Sequence, residues 1–172
     1  MKYAIVVDYQ FDFVEGVLGT ERAKALFERM ERRIKELKAQ GWEIIFTYDT
    51  HYANYLETAE GKKLPVPHCI EGTEGWELYK HIDRAIGGEA LRVRKNTFGY
   101  MDWKYMIPDA EEILIVGVCT DICVVSNAII LKATFTEIPI AVDASLCAGT
   151  SEEAHNAALT VMKSCQIDVY GE

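Results

Sequence analysis

Positive charge is scarce in this chain. Eighteen lysines and arginines face 27 aspartates and glutamates, leaving a net charge of −9 over 172 residues. That balance argues against a nucleic-acid partner, whose phosphates call for clustered cations, and it suits a protein handling small molecules. Long apolar runs are missing too. Nothing approaches the roughly 20 residues of a membrane-spanning helix, so no membrane partner is expected. At the start, "MKYAIVVDYQ" reaches Asp8 after a short apolar run. That is too short for a secretory signal, and no small-residue cleavage site follows. The cytoplasm is the expected compartment. Glycines and prolines are few, 12 and 4, and no repeat or linker divides the chain, so one domain over 1–172 is expected. The five cysteines (Cys69, Cys119, Cys123, Cys147 and Cys165) are an odd number, which argues against a disulfide framework. Cys69, Cys147 and Cys165 read as buried apolar residues.

What is present is alternation. Apolar runs "YAIVVD" (3–8), "WEIIFTYD" (42–49), "ALRVRK" (90–95), "EILIVGV" (112–118), "IPIAVD" (138–143) and the closing "IDVY" read as strands. Between them, Leu26, Met30, Ile34 and Leu37 share one helix face, stopped by Gly41. "GWELYKHIDRAI" reads as a helix, as does "DICVVSNAIILKATF" from about Thr120. "SEEAHNAALTVMKSC" reads as a helix N-capped by Ser151. Near-continuous Val/Ile strands separated by helices predict an α/β fold, with a parallel sheet covered on both faces. Residues 50–74 show no period. A loop of that length inside a folded domain points to function.

Ligands of open α/β sheets sit beyond the carboxyl ends of the strands. Those ends carry Asp8, Asp49, Lys95, the "CTDIC" stretch and Asp143. If a helix starts near Thr120, Cys123 lies in its first turn, where free N–H groups and the helix dipole favour a thiolate and an oxyanion. Asp8 and Lys95 would complete an activated nucleophile. Each residue alone has a plainer reading: a core cysteine, a capping acid, a solvated lysine. The C-x-x-x-C spacing of Cys119 and Cys123 is not the redox spacing. The irregular segment offers Asp49 and His51 as D-x-H, then His68, with Glu57 and Glu60 nearby, ligand types suited to zinc, iron, manganese or nickel. Asp143 reads better as a loop cap than as a pocket residue. Ser126 and Asn127 fall one turn past Cys123.

Taken together, "VVDYQFDF", "YDTH", "LPVPHCIEGT", Lys95 and "GVCTDICV" resemble the isochorismatase-like cysteine hydrolases, nearest to their nicotinamidase branch. The resemblance spans nearly the whole chain. It implies a three-layer α-β-α fold with a mostly parallel six-stranded sheet, and a catalytic triad of Asp8, Lys95 and Cys123. It also implies a cis peptide at Val118–Cys119, with the N–H groups of Cys119 and Cys123 as oxyanion hole. Asp49, His51, His68 and Glu60 are implied as ligands of a divalent metal ion, zinc first among the candidates. Phe13 is implied as a substrate-stacking residue, in a homo-oligomer (dimer or tetramer). The implied reaction is hydrolysis of a small amide, nicotinamide, through a thioester. The alternatives are a ureido or carbamoyl amide as substrate, or a non-catalytic metal- or redox-binding relative. One departure stands out: the aromatic that often precedes the metal-motif histidine is absent from "LPVPH". Phe98, Tyr100 and Trp103 are candidates to replace it.

Overall fold

The β-branched runs pair as six parallel strands. The computed structural model describes residues 1–172, with strands β1 (Lys2–Val7), β2 (Glu43–Asp49), β3 (Leu91–Lys95), β4 (Glu112–Val118), β5 (Ile140–Ala148) and β6 (Asp168–Tyr170). Their order in the sheet is β3-β2-β1-β4-β5-β6, and every pairing is parallel. The expected "mostly parallel" sheet is therefore parallel throughout.

Alternation within each strand divides the core in two. Ala4, Val6, Ile44, Phe46, Leu114 and Val116 face one side, against Met30, Ile34 and Leu37. Tyr3, Ile5, Val7, Ile45, Ile113 and Ile115 face the other, against Trp103, Ala128, Leu131, Leu159 and Met162. The first layer holds α1 (Phe11–Val14), α2 (Glu21–Ala25) and α3 (Phe27–Ala39). The second holds α5 (Trp103–Met106), α6 (Val125–Thr134) and α7 (Glu152–Ser164), while the short α4 (Ala59–Lys63) lies in the irregular segment. Period-2 faces on strands and 3.6-residue faces on helices thus meet as a three-layer stack.

Four expectations need correcting. Residues 75–86 do not form one helix. They are 3₁₀ turns, Glu74–Trp76 and Tyr79–Ile86, and the second is broken at Lys80 and His81, which take left-handed φ of 49° and 52°. Its apolar residues still reach the core (Tyr79 and Ile82 are buried), so burial kept the pattern while the backbone kinked. Strand β5 runs on to Ala148, so Asp143 lies mid-strand and not at the ligand-binding rim. There its Oδ1 accepts from the Ser145 N–H and hydroxyl, at 3.1 and 2.6 Å, a capping role. Cys165 is exposed, whereas Cys69 and Cys147 are buried. The turn after Cys119 is π-helical over Thr120–Val124 before α6 begins.

Candidate active site and metal centre

The sheet order reverses on either side of β1 and β4, and such reversals open a crevice at the strands' carboxyl ends. Asp8 follows β1, Asp49 and Lys95 end β2 and β3, and Cys119 follows β4. Asp8 takes a left-handed φ of 45°. Its N–H donates to Thr47 Oγ1 at 3.1 Å, and the Thr47 hydroxyl donates to its Oδ1 at 2.5 Å. The Lys95 ammonium is 2.5 Å from Asp8 Oδ2 and donates to Cys123 Sγ at 3.6 Å and to the Thr97 carbonyl at 3.0 Å. Asp8, Lys95 and Cys123, far apart in sequence, meet here fully buried.

Their charges are set by that burial. Desolvation, the largest effect on Asp8, pushes its carboxyl up; Lys95 and Thr47 pull it back without cancelling the rise. Desolvation alone would lower Lys95, but Asp8, Cys123 and Asp49 outweigh it and hold the ammonium charged. Burial pushes the Cys123 thiol well above the ordinary range, Asp8 adds to the rise, and Lys95 opposes it. A thiol thus lies beside a charged lysine and a carboxyl group whose raised proton affinity suits it to exchange a proton.

The Val118–Cys119 peptide is cis, as the resemblance implied. The Cys119 carbonyl accepts from the N–H groups of Ile122 and Val124 at 3.1 and 3.0 Å, winding the wide turn that presents Cys123. Gly117 permits β4 to approach: its φ is +118°, and a Cβ there would meet the Val7 carbonyl oxygen at 2.2 Å. Asn127, buried in α6, donates to the carbonyls of Cys123 (2.8 Å) and Phe98 (3.1 Å) and accepts from the Tyr100 N–H and Trp103 Nε1. Ser126 only bonds back to the Ile122 carbonyl.

Beside this cluster, Asp49, His51, Glu60 and His68 bring one ligand atom each within 4.8 Å of one another. His51 Nε2 and His68 Nε2 lie 2.9 and 3.5 Å from Asp49 Oδ2, and each lies 3.6 Å from Glu60 Oε1. Four donors around one ion at tetrahedral zinc distances are separated by about 3.3 Å, so the residues fit a divalent cation. The His68 tautomer fits as well. Its Nδ1 is 2.8 Å from the Val66 carbonyl, so Nδ1–H donates there and Nε2 is left free for a ligand bond. Asp49 is buried, which would raise its carboxyl, but His51 and His68 more than reverse this and hold it low. Glu60 is raised by burial and then by Asp49. The same burial would lower His68, yet Asp49 and the Val66 carbonyl lift it. Glu57 is exposed and stands apart from the four.

A cavity of about 350 Å³ joins the two clusters, lined by Asp49, Glu60, His68 and Cys123 and walled by Phe13, Leu18, Leu64, Phe98 and Ile122. Phe13 packs edge-on against His68, ring centroids 5.4 Å apart. Of the three aromatics considered as replacements, Phe98 lines the cavity, while Tyr100 and Trp103 pack on one another. Leu64, just before "PVPH", occupies the wall where the aromatic is missing.

Sequence reasoning missed Thr47 and Gln10. Gln10 is fully buried; its side-chain carbonyl accepts from the Asp49 N–H at 2.8 Å and its amide donates to the Asp49 carbonyl at 2.9 Å. It thereby ties the end of β1 to the end of β2. A polar residue two places past a strand-ending acid was the available signal.

Residues 3–171 match the family described as the isochorismatase domain. The chain belongs to the isochorismatase family. A curated relative, "Uncharacterized isochorismatase family protein PncA" of Bacillus subtilis, is 29% identical over 174 residues, covering 93% of each chain. Among solved structures, the nicotinamidase/pyrazinamidase PncA of Bacillus subtilis superposes with a TM-score of 0.85 at 25% identity, over 98% of both chains. The pyrazinamidase of Pyrococcus horikoshii, solved in complex with zinc, shares the fold at a TM-score of 0.80 and 23% identity, over 99% of both chains. The family's fold therefore extends over the whole chain, and the buried Asp–Lys–Cys cluster sits at its strand ends.

Proposed function

We propose that this chain, a hydrolase of amide C–N bonds, deamidates nicotinamide or a closely related heteroaromatic carboxamide by covalent catalysis at Cys123. One observation carries the reading: Cys123, joined by Lys95 to Asp8 behind it, opens onto one cavity that Asp49, Glu60 and His68 of the metal cluster also line. Asp8 accepts the thiol proton as the sulfur attacks the carboxamide carbon, with Lys95 holding the developing thiolate. The N–H groups of Cys119 and Cys123 stabilise the oxyanion. Asp8 returns the proton to the leaving ammonia, then draws one from the water that cleaves the thioester. Phe13 offers the substrate ring a face or edge. Asp49, His51, Glu60 and His68 would hold the divalent ion, zinc being the best fit to the mixed nitrogen and oxygen donors, and the ion supplies a Lewis acid for a ring nitrogen.

No helix is long and apolar enough to cross a membrane. A cytoplasmic homo-oligomer is part of the same reading. The assembly is supported by the large apolar side chains Met101 and Tyr105, 73% and 84% exposed; sedimentation would measure it.

The test is ammonia release from nicotinamide, pyrazinamide and a ureido amide, with and without chelator, by the wild type and Cys123→Ala. The expected result is chelator-sensitive release from the two ring carboxamides, absent in the variant. Release from the ureido amide alone overturns the substrate, and full activity in Cys123→Ala overturns the mechanism.

A further inference from the structure

We propose that His155 is a positioning residue for the nucleophile turn, acting through Thr120 to hold the segment that carries Cys119 and Cys123. The inference rests on the reading of Cys123 as nucleophile given above.

Thr120 follows Cys119 directly and is wholly buried. Its hydroxyl lies 2.8 Å from His155 Nδ1, on the neighbouring helix α7. A buried hydroxyl needs a partner, and this is the side-chain partner Thr120 has. Half-burial, the largest effect on His155, keeps its imidazole below the ordinary range. The ring is therefore neutral at neutral pH, and Nδ1 and the Thr120 hydroxyl share one hydrogen bond whose direction the tautomer sets.

The next residue is held as well. Asp121 Oδ1 accepts from the Thr150 N–H at 2.8 Å, and Oδ2 accepts from its hydroxyl at 2.6 Å. Consecutive residues of the turn are thus fastened to α7 and to the loop between β5 and α7. Gly149 makes that approach possible. A Cβ there would stand 2.8 Å from Asp121 Oδ1 and 2.9 Å from His155 Cβ. Space, not backbone conformation, calls for glycine at this position.

The bracket matters because of where the turn lies. The Thr120–Asp121 pair sits between the two N–H groups assigned to the oxyanion. A small rotation of this segment changes their separation and the direction of the Cys123 side chain. Asn127 supports the turn from α6 through the Cys123 carbonyl; His155 supports it at its start. His155 does not line the cavity, so its effect belongs in the chemical step and not in substrate binding.

Three variants test this: His155→Phe keeps a ring and removes Nδ1, His155→Asn restores a hydrogen-bonding group near that atom, and Gly149→Ala wedges a methyl between Asp121 and His155. Each is measured for kcat, KM, thermal midpoint and amide hydrogen exchange of the 119–124 peptide. His155→Phe and Gly149→Ala are expected to lower kcat about ten- to a hundredfold, the scale of a sub-ångström to 1 Å misplacement. KM should stay within about twofold, exchange at 119–124 should quicken, and His155→Asn should recover most of the kcat. Unchanged kcat in His155→Phe overturns the proposal. So does equal loss in His155→Asn, or a loss that follows KM and global stability with no local change in exchange. If the wild type releases no ammonia, or Cys123→Ala remains active, the reading of Cys123 fails instead; exchange at 119–124 then still decides whether His155 holds the turn.

Discussion

A buried carboxylate and a buried ammonium are each costly, and at residue scale the site depends on their cancelling. Asp8 Oδ2 pairs with Lys95 at 2.5 Å, and both side chains are almost wholly shielded from water. Removing Lys95 leaves the Asp8 carboxyl without its cation in low dielectric, which costs about 3–5 kcal/mol. Lys95→Met is therefore expected to lose activity and fall steeply in thermal midpoint. Adding Asp8→Asn removes the stranded charge. The double variant should regain most of the lost stability while remaining inactive, because the pair is coupled. Thermal melts of the wild type, both single variants and the double decide this. A double variant no steadier than Lys95→Met would show that the stability loss arises elsewhere. Asp8 and Lys95 were legible in the sequence because each stands at a strand's end, and Cys123 because it lies in the turn that follows β4. Thr47 and Gln10 were not. A threonine inside a β-rich run looks like any β-branched strand residue, and its hydroxyl acquires meaning only once β1 and β2 pair.

Elements were readable where their period was strong and unbroken. β4 was located to the residue, since "EILIVGV" is apolar almost throughout and is buried on both sides. Residues 75–86 misled because an apolar period survives a backbone kink; nothing in the sequence announces left-handed Lys80 and His81. The π-helical turn at Thr120–Val124 was likewise hidden, because it differs from an α-turn by hydrogen-bond register and not by composition. The irregular segment 50–74 proved to contain α4, whose job is to carry Glu60 to the histidines. Gly61 makes that placement possible: a Cβ there would meet the Tyr55 carbonyl oxygen at 2.0 Å. Tyr55 in turn packs edge-on against His51 and His68, at 4.8 and 5.0 Å between ring centroids. Gly61→Ala should push α4 away and withdraw Glu60 from the cluster. Zinc affinity, read by competition with a chromophoric chelator, is expected to fall about ten- to a hundredfold, as for lost support around a metal site. Unchanged affinity would mean that Glu60 is not a ligand.

At the scale of the whole molecule, one parallel sheet does two things: it gathers the strand-end chemistry on one edge, and it buries tyrosines in both layers of the core. The first was legible in the sequence, because acid- and lysine-ended strands in a parallel sheet share a rim. The second follows only from packing, and it sets how the fold fails in alkali. Tyr9 is fully buried, and its hydroxyl donates to the Ala23 carbonyl at 2.7 Å. Burial raises its pKa, with Tyr79 adding to the rise. Tyr48 is pushed up to about 12, chiefly by burial. Tyr3 is raised to about 12 by burial and by Asp109, but its hydroxyl reaches a surface acid, so its share is smaller. In the unfolded chain these phenols ionise near pH 10. Folded-state values above the unfolded one mean that the contribution is complete below about pH 10 and is lost as pH rises from there toward 12. Tyr9 and Tyr48 together then remove on the order of 2–3 kcal/mol per pH unit, while repulsion within an already acidic chain grows. The thermal midpoint should hold steady from neutral to about pH 10 and drop sharply beyond it. The part of the tyrosinate absorbance that comes from the buried phenols should appear together with unfolding and not before it. Tyr48→Phe, which removes one ionising hydroxyl and leaves the ring, should move the onset of the drop to higher pH; an unmoved onset would show that the buried phenols do not set the alkaline limit.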